Sequence, residues 1–199
     1  VYEDAEGNPK APVAFDGSLA TVKLDVASNN IEVSIASNTI AGNTDIDAAT
    51  FTINTTAGTI QTKDGYYIGQ TSNANGLATS TTTEYTNTIS IENDGSATII
   101  SSGGAYLRYN SANDNLRFRY FKSSTYTAQK AIALYKKASS HTLTYGTCTN
   151  GSVSASVANG AQVLSGTTIT LTPNAETGYK LSAYDVYKTG DNTTKVTVD

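Results

Sequence analysis

The side chains with the greatest chemical reach lie between Ala97 and Lys137. Tyr106, Arg108, Tyr109, Arg117 and Arg119 follow one another closely there. Tyrosine rings stack on sugar faces, and the locally basic stretch could form a polyanion-binding patch. These five are therefore candidate ligand-binding residues, with a glycan or another surface polymer as the expected ligand. Each type also has a plainer use. Tyrosine, present 13 times against 4 phenylalanines, suits half-buried strands that are apolar at one end and wet at the other. Arginines, with Lys122, Lys130, Lys136 and Lys137, suit solvated strand faces and edges that resist pairing with another chain. Both readings stay open on the sequence alone.

Most other chemistry lacks its parts. His141 is the single histidine and Cys148 the single cysteine. A nucleophile triad needs a histidine between a nucleophile and an orienting acid, and no Gly-x-Ser-x-Gly elbow surrounds a serine. His141 is expected to be structural or exposed, and Cys148 a small packed residue with no internal disulfide. Zinc needs more Cys and His than this. Asn43 to Asp47 and Asn110 to Asn115 offer calcium-type oxygens without EF-hand spacing, and turn chemistry explains them better. Glu84, Glu92, Asp94 and Asp114 could supply a glycosidase pair only if two faced each other across a cleft. No phosphate-cradling or dinucleotide fingerprint occurs. The expectation is a chain that is not an enzyme and carries no cofactor or metal.

The elements that would position the tyrosines and arginines are strands. Leu116-Arg117-Phe118-Arg119-Tyr120 alternates with period two, so Leu116, Phe118 and Tyr120 should face a core and the arginines water. Tyr106 to Tyr109 is a second strand, with the Asn- and Asp-rich segment 110–115 as the turn. Ala131 to Tyr135 closes the set. Gly65, Tyr67, Ile68 and Leu77 recur 39 residues later as Gly104, Tyr106, Leu107 and Leu116, and so does Ile60, as Ile99. Phe51 and Ile53 recur as Ile89 and Ile91 at a spacing of 38. A repeat of this length is one supersecondary unit. A third unit, at residues 20–49, would use Val22, Leu24, Val33 and Ile35 as strand cores. The fold expected is all-β: a β-trefoil-like or small antiparallel β-barrel domain, then a small β-rich repeat domain.

Composition supports that class. Of 199 residues, 38% are hydrophobic and 15% charged, and the net charge is −4. No broad basic field is available for nucleic acid, and no apolar run reaches membrane-spanning length. Residues 1–18, with Pro9 and Pro12, read as a linker or the end of a preceding domain. Residues 19–137 form the first β domain, 138–140 a linker, and 141–199 the second. A start at Val1 rather than Met fits a piece of a longer chain.

Two resemblances follow. Asp64-Gly65-Tyr66-Tyr67-Ile68, Ser90 to Gly95, Leu107 to Asn110 and Ile132 to Lys136 make residues of about 20–137 resemble an accessory module of large secreted Bacteroidetes proteins. That module accompanies nuclease, protease or adhesion-like domains and brings no known site residues with it. Thr142 to Tyr145, Asn150 to Val153, Gly166 to Pro173 and Gly178 to Leu181 make residues of about 141–199 similar to the divergent internalin-type B-repeat, in an incomplete copy. Together they imply an extracellular or cell-surface bacterial protein with a role in adhesion or glycan binding. A structural spacer, or an accessory part of a secreted hydrolase whose catalytic domain lies elsewhere, is the alternative.

Overall fold

The structure, a computed structural model, describes residues 1–3, 12–112, 115–181 and 186–187. It is almost wholly β, in several antiparallel sheets, and forms two compact units, Val1–Tyr135 and Lys136–Asp199.

The first unit opens with β1 (Val13–Phe15) paired antiparallel with β2 (Asn30–Glu32). A small hairpin follows, β3 (Ile35–Ala36) and β4 (Thr39–Ile40). Then comes a five-residue helix, α1 (Thr44–Ala48), where only loop was expected. Asn43 starts it by accepting the backbone N–H groups of Asp45 and Ile46 on its side-chain oxygen, both at 2.9 Å, the ordinary role of an N-cap.

Two four-stranded meanders come next. The first is β5 (Phe51–Asn54), β6 (Thr59–Thr62), β7 (Tyr67–Gly69) and β8 (Ala78–Ser80). The second is β9 (Asn87–Ile91), β10 (Ser96–Ser101), β11 (Tyr106–Asn110) and β12 (Arg117–Phe121). The final strand, β13 (Ile132–Ala133), pairs with the start of β10. The repeat is therefore a repeat of topology, but its first strand is matched two residues further along. Ile53 pairs with Ile60, whereas Ile89, not Ile91, pairs with Ile99. The longer second turn, built on Asp94 and on Gly95 at φ +84°, takes up the difference, and Ile91 is left 60% exposed at the hairpin end. Leu77 and Leu116 are likewise out of step, because Gly69 faces Ala78 while Arg108 faces Arg119.

Residues 20–49 do not form a third meander. The chain turns through a short 3-10 helix at Thr21–Lys23 where a strand was expected. The all-β class holds, and among the described residues the sheets stay open where a β-trefoil-like or small barrel domain was expected. Gly76 exchanges both backbone bonds with Tyr120, linking the two meanders.

The N-terminal segment, read from sequence as a linker or the end of a preceding domain, contributes to the core. Tyr2, Val13 and Phe15 are buried, and aromatic contacts run from Phe51 to Phe15, Phe118, Tyr109 and Tyr2, with successive ring centroids 4.8, 5.3, 4.7 and 4.7 Å apart. Each such contact adds about 0.5–1.5 kcal/mol beyond area burial. Ile60, Ile68, Ile99, Leu107, Tyr120 and Ile132 pack around it.

Two buried amides hold this core in register. Asn29 is fully buried. Its Nδ2 donates to the carbonyls of Leu24 and Phe118, and its Oδ1 accepts the Phe118 N–H at 2.7 Å. Asn87 accepts the Tyr120 hydroxyl at 2.7 Å and donates to the Gly58 carbonyl at 3.1 Å. Gly58 is obligatory there: a Cβ would lie 2.2 Å from the Asn87 carbonyl oxygen.

In the second unit β14 (Ser140–Thr142) pairs with β16 (Gln162–Leu164), and β15 (Gly151–Ala155) with β17 (Leu171–Ala175). Among its described residues Val163 is the buried hydrophobic side chain, while Leu164, Tyr179 and Leu181 are exposed. The end of the incomplete repeat copy, residues 188–199, lies outside the described residues.

Two outcomes test the buried polar network. Asn29→Ala strands the backbone groups of Phe118 and should cost on the order of 3 kcal/mol in urea unfolding, since each orphaned buried polar group costs about 1–3 kcal/mol. Tyr120→Phe should cost about 1–3 kcal/mol near neutral pH by orphaning Asn87. Burial raises the Tyr120 phenol well above its ordinary value, so the neutral form favours the fold. That contribution is whole below about pH 10 and shrinks as pH climbs above it. Tyr120→Phe should flatten the alkaline fall in unfolding free energy; an unchanged slope would show that Tyr120 does not cause it.

Candidate functional site

Alternation along β11 and β12 sorts the candidate residues by face. Leu107, Tyr109, Phe118 and Tyr120 point inward and are buried. Tyr106, Arg108 and Asn110 stand on the outer face, directly across from Phe121, Arg119 and Arg117 in that order. Tyr106, Arg108, Arg117 and Arg119 are thus brought together. Tyr109 is not. It is 3% exposed, with its ring stacked on Tyr2 and tilted against Phe118, so the expectation that it meets a ligand is corrected to a core role. The same period-two rule contained the signal, because Tyr109 shares the parity of Leu107 and not of Arg108.

The chain has three arginines, and all three are on this outer face. They are not free in solvent. The Arg117 and Arg119 side chains are 17% and 27% exposed, which argues against a simple solvated strand face. Asp25 lies beside them, with its Oδ1 2.9 Å from Arg119 Nε and 3.8 Å from Arg117 Nη1. The Asp25–Arg119 contact is not aligned as a hydrogen bond, so charge holds it. The other Asp25 oxygen accepts the Leu77 N–H at 3.2 Å, which fixes the carboxylate. Arg117 Nη2 donates to the Asn115 side chain at 2.7 Å. Arg108 lies over the Tyr126 ring, 5.4 Å from its centre, and Tyr126 stacks on Tyr106 at 3.9 Å.

An open groove of about 430 Å³ runs along this face. Arg117 and Arg119 line it with the amides of Asn75, Asn110, Asn115 and Gln129, and Phe121 and Ala128 supply apolar surface. Gln129 Oε1 is covered and has no hydrogen-bond donor among the described residues. Loop 71–76 closes one side. Asn73 and Asn75 accept the backbone N–H groups of Ser123 and Lys122 at 2.7 and 2.9 Å. Asp25, Asn75 and Gln129 were not expected from sequence, since folding gathers them from three separate loops. A second groove of about 610 Å³, by Pro12, Glu32, Val33 and Asn43, holds none of the candidate residues.

The other candidate chemistries stay scattered. His141 Nε2 lies 3.0 Å from Ser165 Oγ on the exposed second unit. Cys148 is exposed, not packed as expected. Glu84 accepts the Tyr67 hydroxyl, Glu92 that of Ser90, and Asp94 caps its turn on Ser96. The Ser96 bonds hold the Asp94 carboxyl below its ordinary range. Asp114 lies outside the described residues. No group of three His, Cys, Asp or Glu suited to a metal occurs among the described residues, and no helix there is long and apolar enough to cross a membrane.

The two faces of the hairpin should separate in unfolding experiments. Tyr109→Ala should cost about 3–5 kcal/mol, the range for truncating large core aromatics. Arg117→Ala should cost about 1 kcal/mol or less, as for other partly exposed ion pairs. Equal losses would mean that the outer face is as structural as the inner. No family model, curated protein or solved structure matches the chain.

Proposed function

We propose that the chain is a non-catalytic, extracellular module of a larger secreted or surface-attached bacterial protein, and that it binds a glycan or another surface polymer along the outer face of β11 and β12. The observation that carries this is the composition of one groove. Arg117 and Arg119 share it with four side-chain amides above a partly apolar floor. Guanidinium groups donate to the fixed hydroxyls of a sugar, amides both donate to and accept from them, and an apolar floor takes its C–H face. The resemblance of residues 20–137 to a secreted Bacteroidetes accessory module, and of residues 141–199 to an internalin-type B-repeat, supports the extracellular setting. The parent chain on this reading also carries the domain that acts, a hydrolase being one such domain.

A spacer role is the second reading, and the second unit favours it. Its short two-stranded sheets bury little besides Val163 among the described residues, as in a module that sets distance rather than forms a site.

Binding of the purified chain to an array of host and bacterial glycans tests the choice. Specific binding that Arg117→Ala and Arg119→Ala each weaken about tenfold or more, with the fold intact by circular dichroism, is the expected result, given the strength of hydrogen bonds to charged groups. No binding to any glycan or polymer would leave the spacer reading.

A further inference from the structure

Charge and hydrogen-bond accounting narrow the ligand class, and this step rests on the glycan reading above. In the groove two guanidinium groups share one carboxylate, Asp25, so one positive charge is left over. Arg108 stands directly across from Arg119 but outside the groove lining and near the Asp94 carboxylate, so the surplus in the groove stays at one. Like charges placed opposite each other on a sheet are unfavourable. They are kept here in a chain whose net charge is −4. Arg117 and Arg119 are two residues apart on one strand, so their backbones are roughly 7 Å apart. Their guanidinium groups nevertheless converge on a single carboxylate, Asp25, so one acid group can span them.

The remaining polar groups point the same way. Asn110 is occupied by its own turn, donating to the Asn115 carbonyl and accepting the Ala112 N–H. The side-chain oxygens of Asn75 and Asn115 already have donors in Lys122 and Arg117, which leaves their N–H groups for an incoming acceptor. Donors are therefore in excess, and Gln129 Oε1 is the acceptor without a donor. We infer that the groove binds an acidic saccharide, whose carboxylate or sulfate bridges Arg117 and Arg119 while its hydroxyls meet the Asn75, Asn115 and Gln129 amides. Asp25 already shows a carboxylate held by these two arginines, from the side opposite its Leu77 anchor.

Calorimetric titration of the whole chain with an oligogalacturonate, with the same oligosaccharide after carboxyl reduction, and with a sulfated heparin oligosaccharide tests this. The expected result is at least about tenfold tighter binding of one acidic form than of the reduced form. The two acidic arms separate carboxylate from sulfate as the preferred group. Affinity should weaken several-fold between about 0.05 and 0.2 M salt, as counter-ions screen the arginines. Arg117→Gln should abolish the preference for acid. Gln129→Glu, nearly isosteric, should do the same by placing an internal carboxylate beside the arginines, and it keeps the test decisive if the arginine variant folds poorly. Equal affinity for the acidic and reduced forms would overturn the inference and leave glycan binding standing. So would a preference for acid that survives in Gln129→Glu. No binding of any of the three would overturn the inference, and the glycan array then decides the wider reading.

Discussion

The first unit depends on one side-chain amide used as if it were backbone. Asn29 offers Phe118 the donor and the acceptor that a neighbouring strand would offer, and it does so where no strand passes. β12 is thereby held at its second residue. Three other ties act nearby. The Ser28 N–H donates to the Leu116 carbonyl, Gly76 bridges Tyr120, and the Tyr120 hydroxyl reaches Asn87. Buried polar groups are costly unless fully partnered, and these partner one another. The loop that carries Asn29 also carries Leu24 into the core and Asp25 to the arginines. One short segment therefore fixes the strand and places the counter-charge on its outer face.

This arrangement explains why the outer face tolerates its own electrostatics. Arg108 and Arg119 are cross-strand partners, and Arg117 is two residues from Arg119. Without Asp25 the three would repel through a partly dehydrated space, where screening by water is weaker than in bulk. Asp25 is held by the Leu77 N–H as well as by charge, so it cannot swing away. Arg108 is placed differently, over the Tyr126 ring, whose face attracts cations. The groove is thus preset, with its cations oriented before any ligand arrives, and preset groups lose less entropy on binding.

Much of the β character was legible in sequence, because it depends on local pattern. Leu116 to Tyr120 alternates, and Phe118 and Tyr120 are indeed buried while Arg117 and Arg119 are turned outward. Asp94-Gly95 marked a hairpin, and the recurrence of Tyr67 as Tyr106 marked equivalent strands. What escaped was decided at long range. Ser28-Asn29-Asn30 reads as a turn by composition, and nothing local shows that its central amide lies in the core. Leu24 alternates with its neighbours as a strand residue would, yet it sits in a turn whose carbonyl Asn29 needs. The first-strand register was misjudged by two residues because period-two matching cannot tell such a slip from the true pairing: both keep the same face inward. The groove escaped for a simpler reason, since Asp25, Asn75 and Gln129 meet the arginines only through tertiary folding.

The Val1 amino group donates to the Ala133 carbonyl and the Ala133 N–H donates back to the Val1 carbonyl, across 132 residues of chain. The meanders, by contrast, are made of hairpins whose partners are near neighbours in sequence. Closing a loop costs entropy that grows with its length, though only logarithmically. Two folded meanders shorten the free chain between residues 1 and 133 and so lower that cost. Residues 1 and 133 act as a clasp beside the buried Tyr2 and Ile132, tying the first described residue of the unit to its last strand.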